Sequence, residues 1–271
     1  MILITGASGF VGNKLMEMME GAVAAPSLRG ATKEQVKKII DESNADVIIH
    51  TAAIADTGVC ERNPEESYYA NVQIPIYLAQ CCQVRKLICF SSDQVYNGCK
   101  EKGPYTEDMA TPASVYARHK LEMEQKVLEI LPSAVMLRAE WMYDVRSNKG
   151  NYFLNLLNAE DSVSFSSATY RGVTYLKEVA ENMEKVISLP GGAYNFGSET
   201  SESIYEVTKK FVSCLNKDIK VLDAAPGHNL WMNCEKARKY GIDFSDTLAG
   251  LKRCAEDYDN EYKEKDANEN I

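Results

Sequence analysis

Tyr116 and Lys120 stand four residues apart in Val115-Tyr116-Ala117-Arg118-His119-Lys120, a spacing that puts both side chains on one face of a helix, one turn apart. A phenol and an ammonium then share one site. Free tyrosine titrates near ~10; a fixed cation favours the phenolate, and a drop of ~3 units takes roughly 4 kcal/mol. Lys120 is placed to supply part of that, and the chemistry served would be proton transfer at a reacting oxygen. The same spacing also describes an ordinary amphipathic turn with a packed ring and a solvated amine. Its meaning rests on what else the fold brings to it.

Two other stretches have the residue types to join it. Ser91-Ser92-Asp93 follows the apolar run Lys86-Leu-Ile-Cys-Phe90, and hydroxyls at the carboxyl end of a strand fall where open α/β sheets bind ligands. Ser92 precedes Tyr116 by 24 residues. Near the start, Met1-Ile-Leu-Ile-Thr5 runs into Gly6-Ala-Ser-Gly9-Phe-Val-Gly12 and then Asn13 to Glu20, which reads as strand, glycine turn and helix. Gly6 permits the tight turn, Gly9 lets a pyrophosphate approach the backbone, and Gly12 lets helix pack on strand, so that phosphates meet the helix N-terminus. After the next candidate strand, Ala22 to Ala25, no acid follows to hold an adenosine ribose. Pro26, Ser27, Leu28 and Arg29 stand there instead, so a 2′-phosphate held by Ser27 or Arg29 and a merely superficial Arg29 both remain open.

The elements that must position these groups are legible as periodic runs. Thr32 to Glu42 reads as a helix with Val36, Ile39 and Ile40 on one face, capped by Thr32 with Gln35 three positions on. Asp46 to His50 reads as a buried strand ending in Thr51-Ala52-Ala53, small residues that suit close approach of a flat ligand. Asn63 to Gln83 reads as one helix carrying Asn71. Asn97 to Ala113, rich in Gly, Pro and charge, reads as a loop long enough to fold over a site. Further on, helices are expected over 177–189 and 204–215, and strands at Val163-Ser-Phe, Ala193 to Phe196 and Lys217 to Ala224. The expected architecture is α/β: a Rossmann-like doubly wound parallel sheet with a small C-terminal substrate-binding lobe. Residues 1–150 form the NAD(P)-binding domain, with some later segments returning to it; 151–255 form mostly the lobe, and 256–271 a frayed, disordered tail.

The chain has 271 residues, 45% hydrophobic and 25% charged, with a formal net charge of −9. That balance fits a globular domain and advertises no basic face to nucleic acid or anionic lipid. Eight cysteines lack any C-x-x-C pair, and the three histidines are far apart in sequence. No metal site follows from them. With no long apolar span, the expectation is a cytoplasmic protein with reduced thiols, a small-molecule partner, and no nucleic-acid or membrane partner.

These stretches, Thr5-Gly-Ala-Ser-Gly-Phe-Val-Gly12, Val47-Ile-Ile-His-Thr-Ala-Ala53, Asn71, Phe90-Ser-Ser-Asp-Gln-Val-Tyr96 and Pro112 to Lys120, resemble the extended short-chain dehydrogenase/reductases in order and spacing. Within that group Ser91-Ser-Asp-Gln-Val-Tyr96, Leu137-Arg-Ala-Glu-Trp-Met-Tyr143, Asn151-Tyr-Phe153 and His228 to Lys236 are similar to the dTDP-4-dehydrorhamnose reductase family. The resemblance implies an NADP or NAD cofactor held by Gly6, Ser8, Gly9, Phe10, Val11, Gly12, Leu28, Arg29, Thr51, Ala52, Ala53, Asn71 and Ser91, together with Tyr116 and Lys120. It implies a catalytic set of Ser92, Tyr116 and Lys120. Tyr116 would be proton donor, Lys120 would hold the nicotinamide ribose and lower the tyrosine's pKa, and Ser92 would bond the substrate oxygen. Asp93, Trp141 and Asn151 would lie near the sugar. The implied activity is reduction of a 4-keto (deoxy)sugar, nucleotide-linked, by a homodimer. A sugar-nucleotide epimerase or dehydratase, and a cofactor-binding regulatory subunit similar to the methionine adenosyltransferase β subunit, use the same framework. Three stretches depart from the reductase pattern: Glu140 replaces a small hydroxyl residue, Val163 to Arg171 lacks an Asp-Gln pair, and Pro226-Gly227 replaces Arg-Pro. The added carboxylate and missing arginine disfavour a diphosphate, which leaves the nucleotide open.

Overall fold

Four strands carry adjacent large apolar residues, Leu3-Ile4, Ile48-Ile49, Leu87-Ile88 and Met136-Leu137. Neighbouring side chains on a strand point to opposite faces, so such pairs load both faces of a sheet and call for helices on each side. The computed structural model of the chain, which describes residues 1–146, 151–215 and 217–269 with side chains through residue 261, has that arrangement. Strands β1 (Ile2–Thr5), β2 (Ala22–Ala24), β3 (Val47–His50), β4 (Lys86–Ser92) and β5 (Val135–Ala139) alternate with α1 (Phe10–Met18), α2 (Lys33–Ser43), the run α3 (Thr57–Arg62), α4 (Pro64–Tyr68) and α5 (Ile74–Cys82), and α6 (Val115–Ile130). Leu3, Ile48, Leu87 and Met136 pack with Val36, Leu78 and Val127 on one side; Ile4, Ile49, Ile88 and Leu137 pack with Leu15, Val179 and Met183 on the other.

The chain continues as β6 (Trp141–Tyr143), α7 (Tyr152–Leu157), β7 (Ser162–Phe165), β8 (Val173–Tyr175), α8 (Leu176–Ile187), β9 (Gly192–Phe196), α9 (Ile204–Cys214), β10 (Lys220–Asp223), α10 (Glu235–Arg238) and α11 (Thr247–Glu269). The main sheet runs β2-β1-β3-β4-β5-β9, every neighbour parallel. From β1 the chain steps outward to β2 and then back across to β3, and this reversal opens a crevice at the carboxyl ends of β1 and β3. Two small parallel pairs, β7 with β10 and β6 with β8, make a second body with its own aromatic core of Tyr143, Tyr152, Phe153, Tyr175 and Phe211. Late segments do return to the main sheet: α8 packs on its face and β9 pairs with β5.

Three local expectations change. The single helix expected over 63–83 is broken by a π-helical turn at Tyr69–Gln73, which contains Asn71. The stretch Asn97 to Ala113 is pinned rather than loose, with Tyr105 fully buried, stacked 5.1 Å from Tyr96 and bonded through its backbone to Trp231. The segment expected to fray from Glu256 is helical through Glu269. Asp257 pairs with Lys177 at 2.8 Å, and Tyr258 meets Phe153 edge-on at 5.7 Å. Asn270 and Ile271 lie outside the described residues. All eight cysteines are free thiols. Among the described residues no helix is long and apolar enough to cross a membrane, and no group of three or more His, Cys, Asp or Glu side chains is placed to hold a metal.

Candidate active site

The glycine turn is built by close approach. Gly6 sits at φ +74°, where side chains other than glycine's are strained, and a Cβ there would lie 2.7 Å from the Ala52 nitrogen. A Cβ on Gly12 would lie 2.2 Å from the Gly6 carbonyl oxygen, so Gly12 serves the turn's packing. The α1 helix starts at Gly9 with no side-chain cap and no acid in its first turn. Its first N–H groups are left for an anion, which is what a dinucleotide's pyrophosphate needs.

Beside this turn lies a cavity of about 750 Å³ walled by Gly6, Ser8, Leu28, Arg29, Ala52 and Ala53, with Ser27 and Glu66. A second cavity of about 370 Å³ shares Ala53 with it and carries Phe10, Val11, Thr51, Ser91, Ser92, Asp93, Tyr116, Lys120, Trp141 and Asn151. Gly9 and Phe10 join Ser8 in a smaller recess between them. The donor set fits a dinucleotide whose adenosine half lies along Leu28 and Arg29 and whose other end reaches Tyr116.

Ser114 caps α6, its hydroxyl accepting from the Ala117 N–H at 3.2 Å. That fixes Tyr116 and Lys120 in the first turns of the helix, both buried, with the Lys120 ammonium 5.8 Å from the Tyr116 ring centroid. The ammonium donates to the Phe90 carbonyl at 2.7 Å. Burial pushes it down to about 8. Tyr116 reverses the expectation drawn from the spacing. Burial is the largest influence on its phenol and drives the pKa above its ordinary value, against an opposing hydrogen bond with Ser92. Desolvation of the phenolate prevails, with Asp93 and Cys60 adding to it, and the phenol stays protonated at neutral pH.

Ser92, at the end of β4, donates to Asp93 Oδ1 at 3.1 Å and accepts from the Gln94 N–H at 3.2 Å. Asp93 is ion-paired with Arg171 at 2.8 Å. Burial pushes the Asp93 carboxyl upward, with Arg171 and Ser92 pulling the other way. The Arg171 guanidinium also lies 5.4 Å over the Trp141 ring. Arg171 and Glu140 both line this cavity and neither was expected as a site residue. Their only sequence signal was that each stood in a departure from the reductase pattern.

Three expected contacts are otherwise engaged. Asn71 lines neither cavity; its amide bonds both the N–H and the carbonyl of Ile54, at 2.9 and 3.0 Å, and so braces the loop after β3. Asn151 caps α7 and donates to the Asp144 carbonyl at 2.7 Å, leaving its side chain committed to backbone although it borders the cavity. The Ser91 hydroxyl donates to Glu124 at 2.5 Å, inside a buried network with Arg138. Only the rest of Ser91 faces the cavity wall.

A model of the RmlD substrate binding domain matches residues 1–241. The dTDP-4-dehydrorhamnose reductase of Aggregatibacter actinomycetemcomitans is 29% identical over 223 residues, 76% of each chain. Two solved structures share the fold. The dTDP-4-dehydrorhamnose reductase of Clostridium acetobutylicum has a TM-score of 0.83 at 22% identity, covering 94% of this chain and 98% of its own. That of Bacillus anthracis, solved with NADP, has a TM-score of 0.81 at 23% identity, covering 94% and 97%. With the family model matching residues 1–241, most of its length, the chain belongs to the RmlD substrate-binding domain family.

Proposed function

We propose that this protein is an NAD(P)H-dependent reductase of a nucleotide-linked 4-keto deoxysugar, with Tyr116 as proton donor. The observation that carries this reading is one cavity in which Tyr116, Ser92 and Lys120 meet at the end joined through Ala53 to the dinucleotide-shaped cleft. The reduced nicotinamide, when bound, supplies hydride to the carbonyl carbon. As negative charge develops on the carbonyl oxygen, the Tyr116 phenol donates to it and the Ser92 hydroxyl joins by turning its one hydrogen from Asp93 to that oxygen; such a donor is worth roughly 3 kcal/mol in the transition state. A phenol held protonated suits this direction of reaction: an alkoxide is the stronger base, so the proton moves downhill from Tyr116. Lys120, fixed by the Phe90 carbonyl, would hold the cofactor's ribose. Arg29 and Ser27, with no acid after β2, favour NADPH over NADH. A cytoplasmic homodimer belongs to the same reading, and sedimentation of the purified protein at micromolar concentration tests the dimer.

The test is oxidation of NADPH and NADH with freshly generated dTDP-4-keto-6-deoxysugar. Wild type turns over, and Tyr116→Phe lowers kcat about 10²- to 10⁴-fold with NADPH affinity kept. Wild type that binds NADPH yet oxidises none of it with this sugar refutes the proposal and turns attention to a regulatory subunit. Tightly co-purified NAD with interconversion of sugar epimers favours an epimerase.

A further inference from the structure

Glu140 ends the strand side of the substrate cavity in a slot made for it. A Cβ on Gly172 would sit 2.5 Å from both carboxyl oxygens, and one on Gly197 would sit 2.6 Å from Oε2. Thr174 Oγ1 donates to Oε2 at 2.8 Å. Among the described residues nothing is hydrogen-bonded to Oε1, and Glu140 borders the cavity that holds Ser92 and Tyr116. The carboxyl faces Asp93 from the turn after β4, Arg171 from the segment before β8, Thr174 from β8 itself, Glu199 after β9 and Cys234 before α10. Of these, Arg171 is the nearby cation; its Nη2 is paired with Asp93, and its buried Nε has no hydrogen-bond partner among the described residues. Glu199 is paired away with Arg238. Burial and the neighbouring Asp93 together outweigh what Arg171 offers a second carboxylate here.

From this geometry we propose that Glu140 is a substrate-reading residue, standing as an uncharged acid whose Oε1–H donates to an oxygen of the sugar beside the carbonyl that is reduced. Burial, with Asp93 adding to it, pushes the Glu140 carboxyl up to about 8, so the acid form prevails at neutral pH. The added carboxylate thus brings a donor and no charge, and a sugar carrying neutral oxygens is favoured over one carrying an ammonium group, which would hold Glu140 ionised.

The proposal rests on the reductase reading for its substrate and stands apart from it for its protonation. Infrared difference spectra of the NADPH complex, wild type minus Glu140→Gln, show a protonated-carboxyl band at pH 7 that is gone by pH 9.5. No such band at pH 7 overturns the proposal whatever the enzyme turns over. With dTDP-4-keto-6-deoxysugar, the wild-type KM rises about tenfold per pH unit above 8 relative to Glu140→Gln, with kcat unaffected, because the amide remains a donor. Lys120 titrates in the same range in both proteins and cancels in the ratio. Glu140→Asp keeps an acid in the slot but withdraws it by one methylene, so it keeps the band and raises KM about tenfold. A KM ratio flat with pH, or a KM that falls as pH rises, overturns the assignment of the donor to substrate. Failure of wild type to turn over, by contrast, is also the failure of the reductase reading, and the band tells the two apart.

Discussion

Lys120→Met is expected to make the cofactor-free protein relatively more stable at neutral pH than at alkaline pH while removing its activity. Lys120 is fully buried, and its ammonium is pushed from 10.5 down to about 8. That displacement corresponds to about 3 kcal/mol of disfavour for the charged form in the folded state. The sign follows from proton counting. Between about 8 and 10.5 the unfolded chain holds the proton and the folded chain has released it, so wild-type stability rises with pH through that window; below 8 both hold it and the full cost is present. Methionine carries no such cost at any pH, but it leaves the Phe90 carbonyl without its 2.7 Å donor, a pH-independent loss of about 1–3 kcal/mol. The difference in unfolding free energy, variant minus wild type, therefore shifts by about 2 kcal/mol against the variant between pH 6.5 and 9.5. Urea unfolding of both proteins at the two pH values measures it, and groups common to both cancel. A difference that stays level across this range would refute the reasoning and show the ammonium to be solvated in the folded chain.

Arg29→Ala is expected to raise the KM for NADPH tenfold or more and leave that for NADH unchanged, since only the former offers a 2′-phosphate to the guanidinium; equal effects on the two would place Arg29 outside the phosphate's reach. Glu124→Ala removes the carboxylate that takes two bonds from the Arg138 Nε and one of 2.7 Å from Nη2, both residues being buried. An uncompensated guanidinium in the core should cost about 3–5 kcal/mol in urea unfolding, and a loss under 1 kcal/mol would mean water reaches Arg138.

The parts of the molecule legible in the sequence are those set by local spacing. Apolar doublets marked strands filled from both faces, Thr32 and Gln35 form a reciprocal cap at the start of α2, and the four-residue spacing of Tyr116 and Lys120 does bring both into one cavity. What escaped depends on distant partners or on dielectric. The Arg171–Asp93 pair joins residues 78 positions apart, and nothing local to either announces it. The burial that raises the Tyr116 phenol could not be read either, because spacing reports proximity and says nothing of how much water the groups lose. Asn71 and Asn151 were placed correctly along the chain but are used as braces, since an amide bonds backbone as readily as ligand. The stretch from Glu256 looked too polar to pack, yet Asp257 and Tyr258 find partners in Lys177 and Phe153, both distant in sequence.

The second body is assembled from three separate stretches, 141–175, 204–223 and 247–258, with α8, β9 and α10 threading back to the main sheet between them. This interleaving makes the second body inseparable by a single cut. Truncation after β5 strips away β9 and turns β5, buried along its whole length, into the exposed edge of the sheet, a template for aggregation. Exchange of substrate preference between relatives therefore has to proceed by transplanting several short passages at once, or by changing cavity side chains one at a time. An inheritance of new sugar specificity through fusion of a ready-made module is closed to this architecture.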